Sequence, residues 1–199
     1  MASILYLHGF LSSPSSLKAN QTRAYLLHHY PDTSFICPEL ANSPAELEAQ
    51  LQSLLKEHPE LLTGGLKVIG SSMGGYLASW LIEQYGGRAV LINPAVTPFE
   101  LLKDYLGEHE NPYTNKRFVL TEDDIGHIRE FYQPQLRHPE HYKVLLQTGD
   151  ETLDYRQAVE HYAGADVYIE DGGDHSFVNY EAHLEGIMAF LNLTDATQS

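Results

Sequence analysis

The stretch Gly70-Ser71-Ser72-Met73-Gly74-Gly75 decides how the rest of the chain is read. It follows the apolar run Leu66-Lys67-Val68-Ile69 and precedes Tyr76-Leu77-Ala78-Ser79-Trp80-Leu81-Ile82, whose apolar residues recur at helical spacing. Strand, glycine-flanked serine and helix together form the context of a G-x-S-x-G nucleophile elbow. A serine used as a nucleophile projects from a sharp strand-to-helix turn, where the crowded backbone leaves no room for side chains two residues away on either side. Gly70 and Gly74 supply that room because they lack a Cβ, and the register makes Ser72, not Ser71, the nucleophile. The turn also opens a helix, so its free N–H groups and the positive end of its dipole face the same point. The competing reading is a glycine-rich helix start that Ser72 merely caps. A base, a carboxylate to orient it and an oxyanion hole elsewhere in the chain would decide between the two.

Upstream, Ile4-Leu5-Tyr6-Leu7 is an unbroken apolar run of the kind buried on both faces of a parallel sheet, and it ends at His8-Gly9-Phe10-Leu11. Leu17 to His29 has helical spacing, with Leu17, Ala24, Tyr25, Leu26 and Leu27 on its apolar side. Thr33 to Pro38 reads as a short strand. Ser43-Pro44-Ala45-Glu46 has the composition of a capping box with proline at the first helical position, opening a helix through Leu47, Leu51, Leu54 and Leu55. Downstream, Ala89-Val90-Leu91-Ile92 is a further buried strand that stops at Asn93-Pro94. Tyr142 to Gln147 and Asp166 to Glu170 are the last two strands. A helix from Asp154 lies between them, and a closing helix spans about Glu181 to Leu191. This alternation predicts right-handed crossovers and a mostly parallel sheet flanked by helices, with ligands at the carboxyl ends of the strands.

The alternation lapses between Pro94 and Tyr142. Thr97-Pro98-Phe99-Glu100 reads as a second capping box, with Gly107 ending its helix after Leu106. A polar segment, Glu108 to Arg117, follows. Thr121-Glu122-Asp123-Asp124 then starts a helix through Ile125, Ile128 and Phe131. The expectation is one α/β domain over residues 1–199 with a small helical cap insertion at about 97–140. That insertion would cover the carboxyl end of the sheet and shape specificity. The alternative is a surface excursion that never meets substrate.

A base for Ser72 is expected on a loop after a late strand, and His175 in Gly172-Gly173-Asp174-His175 is so placed. The orienting carboxylate should follow the preceding strand. Asp150, directly after Gly149, is the choice, with Asp154 as runner-up and Glu151, Asp171 and Asp174 as competitors. Asp154 has a sufficient structural role in opening a helix, with Gln157 completing a capping box. Asp171 and Asp174 are too close to His175 along the chain. The expected oxyanion donors are the backbone N–H groups of Met73, after the nucleophile, and Phe10, on the loop after the first strand. His8 is read as shaping that loop.

The formal charge of −15 over 199 residues, with no Lys/Arg-rich run, disfavours nucleic acid and anionic membrane as partners. No apolar run approaches membrane-spanning length. Cys37 is the single cysteine, which excludes an intramolecular disulfide and reads as a small buried hydrophobe. The N-terminus carries no basic region before its strand, so a leader peptide is not expected and a cytoplasmic location is. His138-Pro139-Glu140-His141 and His28-His29 lack the H-E-x-x-H spacing of a metal site. No dinucleotide or Walker pattern is present, and no cofactor is expected. Oligomeric state is left open.

YLHGF near the N-terminus, GSSMGG, INPAVTPFELL, ENPYT, QTGDETLDYRQAV and GGDHSF, spread over nearly the whole chain, resemble the α/β-hydrolase superfamily and, more narrowly, its small bacterial YqiA-type esterases. The resemblance implies a compact α/β-hydrolase fold and a Ser72, Asp150, His175 triad, in the chain order of that superfamily. It also implies a small-molecule acyl ester as substrate, with acyl-CoA thioesters as the alternative within the same chemistry. A peptidase shares the machinery, but nothing marks an amine-recognition pocket. A non-catalytic binding protein on the same scaffold is the alternative of another class.

Overall fold

The computed structural model describes residues 2–193. The first apolar run forms β1 (Ser3–Leu7), followed by α1 (Leu17–His29), β2 (Ser34–Ile36) and α2 (Pro44–Glu57). The serine elbow joins β3 (Leu66–Ser71) to α3 (Met73–Tyr85), and β4 (Gly87–Ile92) comes next. The insertion holds α4 (Pro98–Leu101), β5 (Gly107–Glu110), β6 (Arg117–Leu120) and α5 (Glu122–Glu130). The chain returns through β7 (Tyr142–Gln147), α6 (Tyr155–His161), β8 (Asp166–Glu170) and α7 (Leu184–Phe190).

Six strands form one sheet in the order β2-β1-β3-β4-β7-β8, with every pairing parallel. Alternate side chains of each strand point to opposite faces. Leu5, Leu7, Val68, Leu91 and Val144 therefore pack with α2, α3, α5 and α6 on one side. Ile4, Tyr6, Ile69, Val90 and Leu145 pack with α1 and α7 on the other. Burial on both faces explains why these strands read as unbroken apolar runs. Among the described residues no helix is long and apolar enough to cross a membrane.

Four local expectations need correction. Helix α1 has the expected bounds, but Leu17 and Leu27 are 72% and 74% exposed, and the buried side is Ala19, Thr22 and Leu26. Thr22 is buried because its hydroxyl is satisfied, donating to the Lys18 carbonyl at 2.7 Å and meeting the Tyr180 hydroxyl at 2.8 Å. The capping boxes at Ser43 and Thr97 do not close: the helices start there, but neither side chain makes a cap bond. The box at Thr121 does close, reciprocally with Asp124. Finally, the insertion is not purely helical. β5 and β6 pair antiparallel across the segment read as a polar loop, Gly107 opening the hairpin at φ 116° instead of simply ending a helix. Each hairpin strand has only four residues, one almost wholly polar (GEHE) and the other mostly apolar (RFVL), too short for a period-two pattern to stand out.

Candidate active site

The elbow is built by crowding. A Cβ on Gly74 would lie 1.9 Å from the Leu7 carbonyl oxygen, and one on Gly70 would lie 2.4 Å from the Gly74 carbonyl oxygen. The end of β1 thus presses directly on the first turn of α3. Ser72 itself sits at φ 55°, ψ −118°, a conformation costly for a residue with a Cβ. The strain is held by the end of β4 and the loop after it: the Ser72 N–H donates to the Ile92 carbonyl at 3.0 Å, and the Ser72 carbonyl accepts from the Ala95 N–H at 3.1 Å.

The bend carries the Ser72 hydroxyl to His175, where Oγ lies 3.1 Å from Nε2. On the far side of the ring, Nδ1 lies 3.0 and 2.9 Å from the two carboxylate oxygens of Asp150. That carboxylate is 2% exposed and also accepts from the Thr152 and Leu153 N–H groups at 2.9 and 2.8 Å. With Nδ1–H committed to the carboxylate, Nε2 is left as the acceptor facing the hydroxyl. Ser71 is buried at the end of β3 and does not join this line.

Three of the other carboxylates named from the sequence have separate employment. Asp154 caps α6, accepting from the Arg156 N–H at 3.0 Å and from Arg156 Nε at 2.8 Å, so its cap partner is Arg156 and not Gln157. Asp171 accepts from the Thr148 hydroxyl at 2.9 Å. Glu151 accepts from the His175 N–H at 2.9 Å, and backbone hydrogen bonds, including this one, hold its pKa below the usual range.

Phe10 and Met73 both line the space around Ser72. The Met73 N–H opens α3 and so has no intrahelical acceptor. The turn that carries Phe10 is closed by the Ser12 N–H on the Gly9 carbonyl at 3.2 Å, leaving the Phe10 N–H outside that bond. His8 shapes the same loop. Its Nδ1–H donates to the Gly9 carbonyl at 2.9 Å and its Nε2 accepts from the Leu40 N–H at 3.1 Å, an arrangement that requires the neutral ring. Burial lowers its pKa accordingly.

Two positions escaped the sequence reading. Asn93, at φ 40° after β4, donates from Nδ2 to the carbonyls of Asp174 and His175 at 3.0 and 3.3 Å and accepts the Gln147 N–H at 3.0 Å. Gln147, buried at the end of β7, accepts from the Asp174 and Val178 N–H groups through Oε1 and donates to Glu170 and the Val178 carbonyl through Nε2. Between them these two amides fix the path of the loop that bears His175. The only hint in the sequence is a polar residue at the end of each apolar strand.

The insertion meets the site. Pro98, Leu101, Leu102 and Tyr105, with Ala95 and Leu153, line an apolar pocket of about 170 Å³ that opens onto Ser72 and His175. Asn111 fastens the hairpin to the loop after β1, donating to the Ser12 carbonyl at 3.0 Å. Away from this site, the potential ligand atoms of His138, Glu140 and His141 gather within 4.8 Å of one another on the surface, and Glu140 is already engaged by His138 Nδ1 at 3.2 Å. Cys37 is a free thiol, only partly buried, and desolvation raises its pKa to about 11.

A family described as "Uncharacterised protein family (UPF0227)" matches residues 3–192. The UPF0227 protein YcfP of Escherichia coli O9:H4 (strain HS) is 26% identical over 198 residues, covering 96% of this chain and 99% of that protein. Among solved structures, Est1E from Butyrivibrio proteoclasticus with bound ferulic acid superposes with a TM-score of 0.71 at 11% identity, covering 96% of this chain and 88% of that one. The mouse alpha/beta hydrolase domain-containing protein 10 gives 0.65 at 18% identity, covering 94% and 87%. The fold is that of the α/β hydrolases.

Proposed function

The chain belongs to the UPF0227 family within the α/β-hydrolase superfamily, and on that footing we propose that it is a serine esterase acting on carboxylic acyl esters through an acyl-enzyme on Ser72. The observation that carries the reading is the continuous line from the Asp150 carboxylate through His175, at 2.9 Å, to the Ser72 hydroxyl, at 3.1 Å. As Oγ attacks the ester carbonyl, its proton passes to His175 Nε2. Asp150 holds the tautomer and balances the imidazolium that forms. The tetrahedral oxyanion is met by the Phe10 and Met73 N–H groups, each such donor contributing on the order of 100-fold or more in rate. Collapse breaks the bond to the alcohol oxygen, which takes the proton from Nε2. Water then repeats the sequence on the acyl-enzyme and releases the acid. The apolar pocket under the insertion is suited to the acyl chain, so the insertion acts as a specificity cap. The ferulic acid in Est1E, itself a carboxylic acid, belongs to the product class of such a reaction.

Labelling with a fluorophosphonate tests this directly. The adduct is expected on Ser72, and Ser72→Ala abolishes both labelling and ester turnover while Ser71→Ala retains them. Unreactive folded protein, or an adduct at another residue, overturns the proposal. Matched oxygen esters and CoA thioesters over a range of chain lengths then distinguish esterase from thioesterase.

A further inference from the structure

A second, larger concavity borders Ser72 and His175, in addition to the apolar pocket. It is a groove of about 680 Å³, open to solvent, whose lining includes Lys18, Gln21, Asp174 and Ser176. Resting on the serine-esterase reading above, we propose that this groove is the alcohol-side subsite, and that it selects an uncharged leaving group bearing several hydroxyls, as in an ester of a polyol.

The chemistry of the wall supports this. The leaving oxygen must lie where His175 Nε2 can return the proton to it, and the groove is flanked by His175 and Ser176. Lys18 Nζ donates to the Ser176 carbonyl at 2.7 Å, which engages one of the three donors an ammonium offers. Two acceptors on the same wall, Gln21 Oε1 and Asp174 Oδ1, are closed off from water and have no hydrogen-bond partner among the described residues. A buried acceptor left unmatched is costly, so such atoms favour a donor that can reach them. The terminal torsions of both side chains are soft, and each oxygen can turn toward an arriving hydroxyl without backbone movement.

The wall also discriminates by charge. Lys18 is partly withdrawn from water, which pulls its pKa down, while Asp174 pulls it back up. The two charges offset one another, so neither an anion nor a cation meets a net opposite charge. A hydroxyl both donates and accepts: one can accept from Lys18 while donating to Gln21 or Asp174, and two neighbouring hydroxyls serve all three. An ethyl group can serve none of them, and a trimethylammonium has no proton to give.

The test holds the acyl group constant and varies the alcohol, using the whole chain with ethyl butyrate, glyceryl monobutyrate and butyrylcholine. The expected result is a kcat/KM for the glyceryl ester about tenfold or more above that for the ethyl ester, as one or two added hydrogen bonds allow. The choline ester should be no better than the ethyl ester. Gln21→Leu and Lys18→Met should each reduce the glyceryl-to-ethyl ratio, chiefly through KM. A ratio of one or below in the native chain, a preference for choline, or an unchanged ratio in both variants overturns the assignment. Should a variant fail to fold, the native ratio alone decides. Fluorophosphonate labelling of Ser72 without glyceryl preference leaves the esterase reading standing and removes this one; loss of labelling removes both.

Discussion

Asn93 donates through its side-chain amide to the backbone carbonyl of His175, 82 residues further along the chain. It makes the same kind of bond to Asp174 and accepts the Gln147 N–H, so one side chain ties the end of β4 to β7 and to the histidine loop. Asn93→Ala removes all three bonds and places a methyl side chain at a left-handed φ of 40°. We expect a stability loss of about 1–3 kcal/mol and a fall in kcat of roughly 10- to 100-fold as the ring drifts from Oγ. KM should change little. Steady-state kinetics beside urea unfolding checks this, and an unchanged kcat would show that the loop holds its path unaided.

The two candidate carboxylates separate cleanly. Asp150→Asn keeps the shape beside His175 but supplies an amide where the ring needs a charged acceptor, and kcat should fall by about 10⁴-fold. Asp154→Ala removes the α6 cap, which should lower stability by about 0.5–2 kcal/mol while kcat stays near the native value. Parallel turnover and thermal melts of the two variants distinguish them, and a reversed pattern would reassign the orienting residue.

Two glycines that look alike in sequence should respond in opposite directions. A Cβ on Gly74 meets the Leu7 carbonyl oxygen at 1.9 Å, so Gly74→Ala must force β1 and α3 apart, with a loss of several kcal/mol or failure to fold. Gly126 lies exposed within α5 with nothing within 4 Å of its added Cβ. Gly126→Ala should therefore stabilise by up to about 1 kcal/mol, raising Tm by roughly 2–4 °C in a chain of this size. A fall in Tm would indicate a role for Gly126 other than tolerated flexibility.

His8 gives stability a pH dependence of known sign. Burial sets its folded pKa below the ordinary 6.5, outweighing the upward pull of the Gly9 carbonyl and of Glu39. On acidification the unfolded chain takes up this proton first. The contribution is complete above about pH 6.5 and erodes as pH falls below it. His161, also lowered by burial, acts in the same sense. Urea midpoints between pH 7.5 and 5 should decline, and less steeply in His8→Gln, which cannot charge. Equal slopes in the two proteins would exclude His8 as a contributor.

The parts legible in the sequence were those set by local sterics. Gly70 and Gly74 mark the elbow because the crowding there admits no Cβ. The buried strands show as apolar runs because both faces are covered. Gly172 and Gly173, at φ 78° and 72°, mark the turn that carries His175 back over the sheet. The exposed side of α1 does not follow from hydropathy, which ranks Leu17 above Thr22, whereas a hydroxyl paired with Tyr180 can be buried at little cost. Asn93 and Gln147 stayed invisible for a different reason. Their partners lie 23 to 82 residues away, and no local pattern encodes such contacts.

The press of the Leu7 carbonyl against Gly74 means that no wedge can open between the first strand and the helix after Ser72. The groups proposed to polarise the ester, Phe10 and Met73, are thus mounted on a single stiff chassis. The groups proposed to shuttle the proton hang from a separate suspension of side-chain amides. A displacement of the histidine loop would therefore leave the Phe10 and Met73 N–H groups where they are.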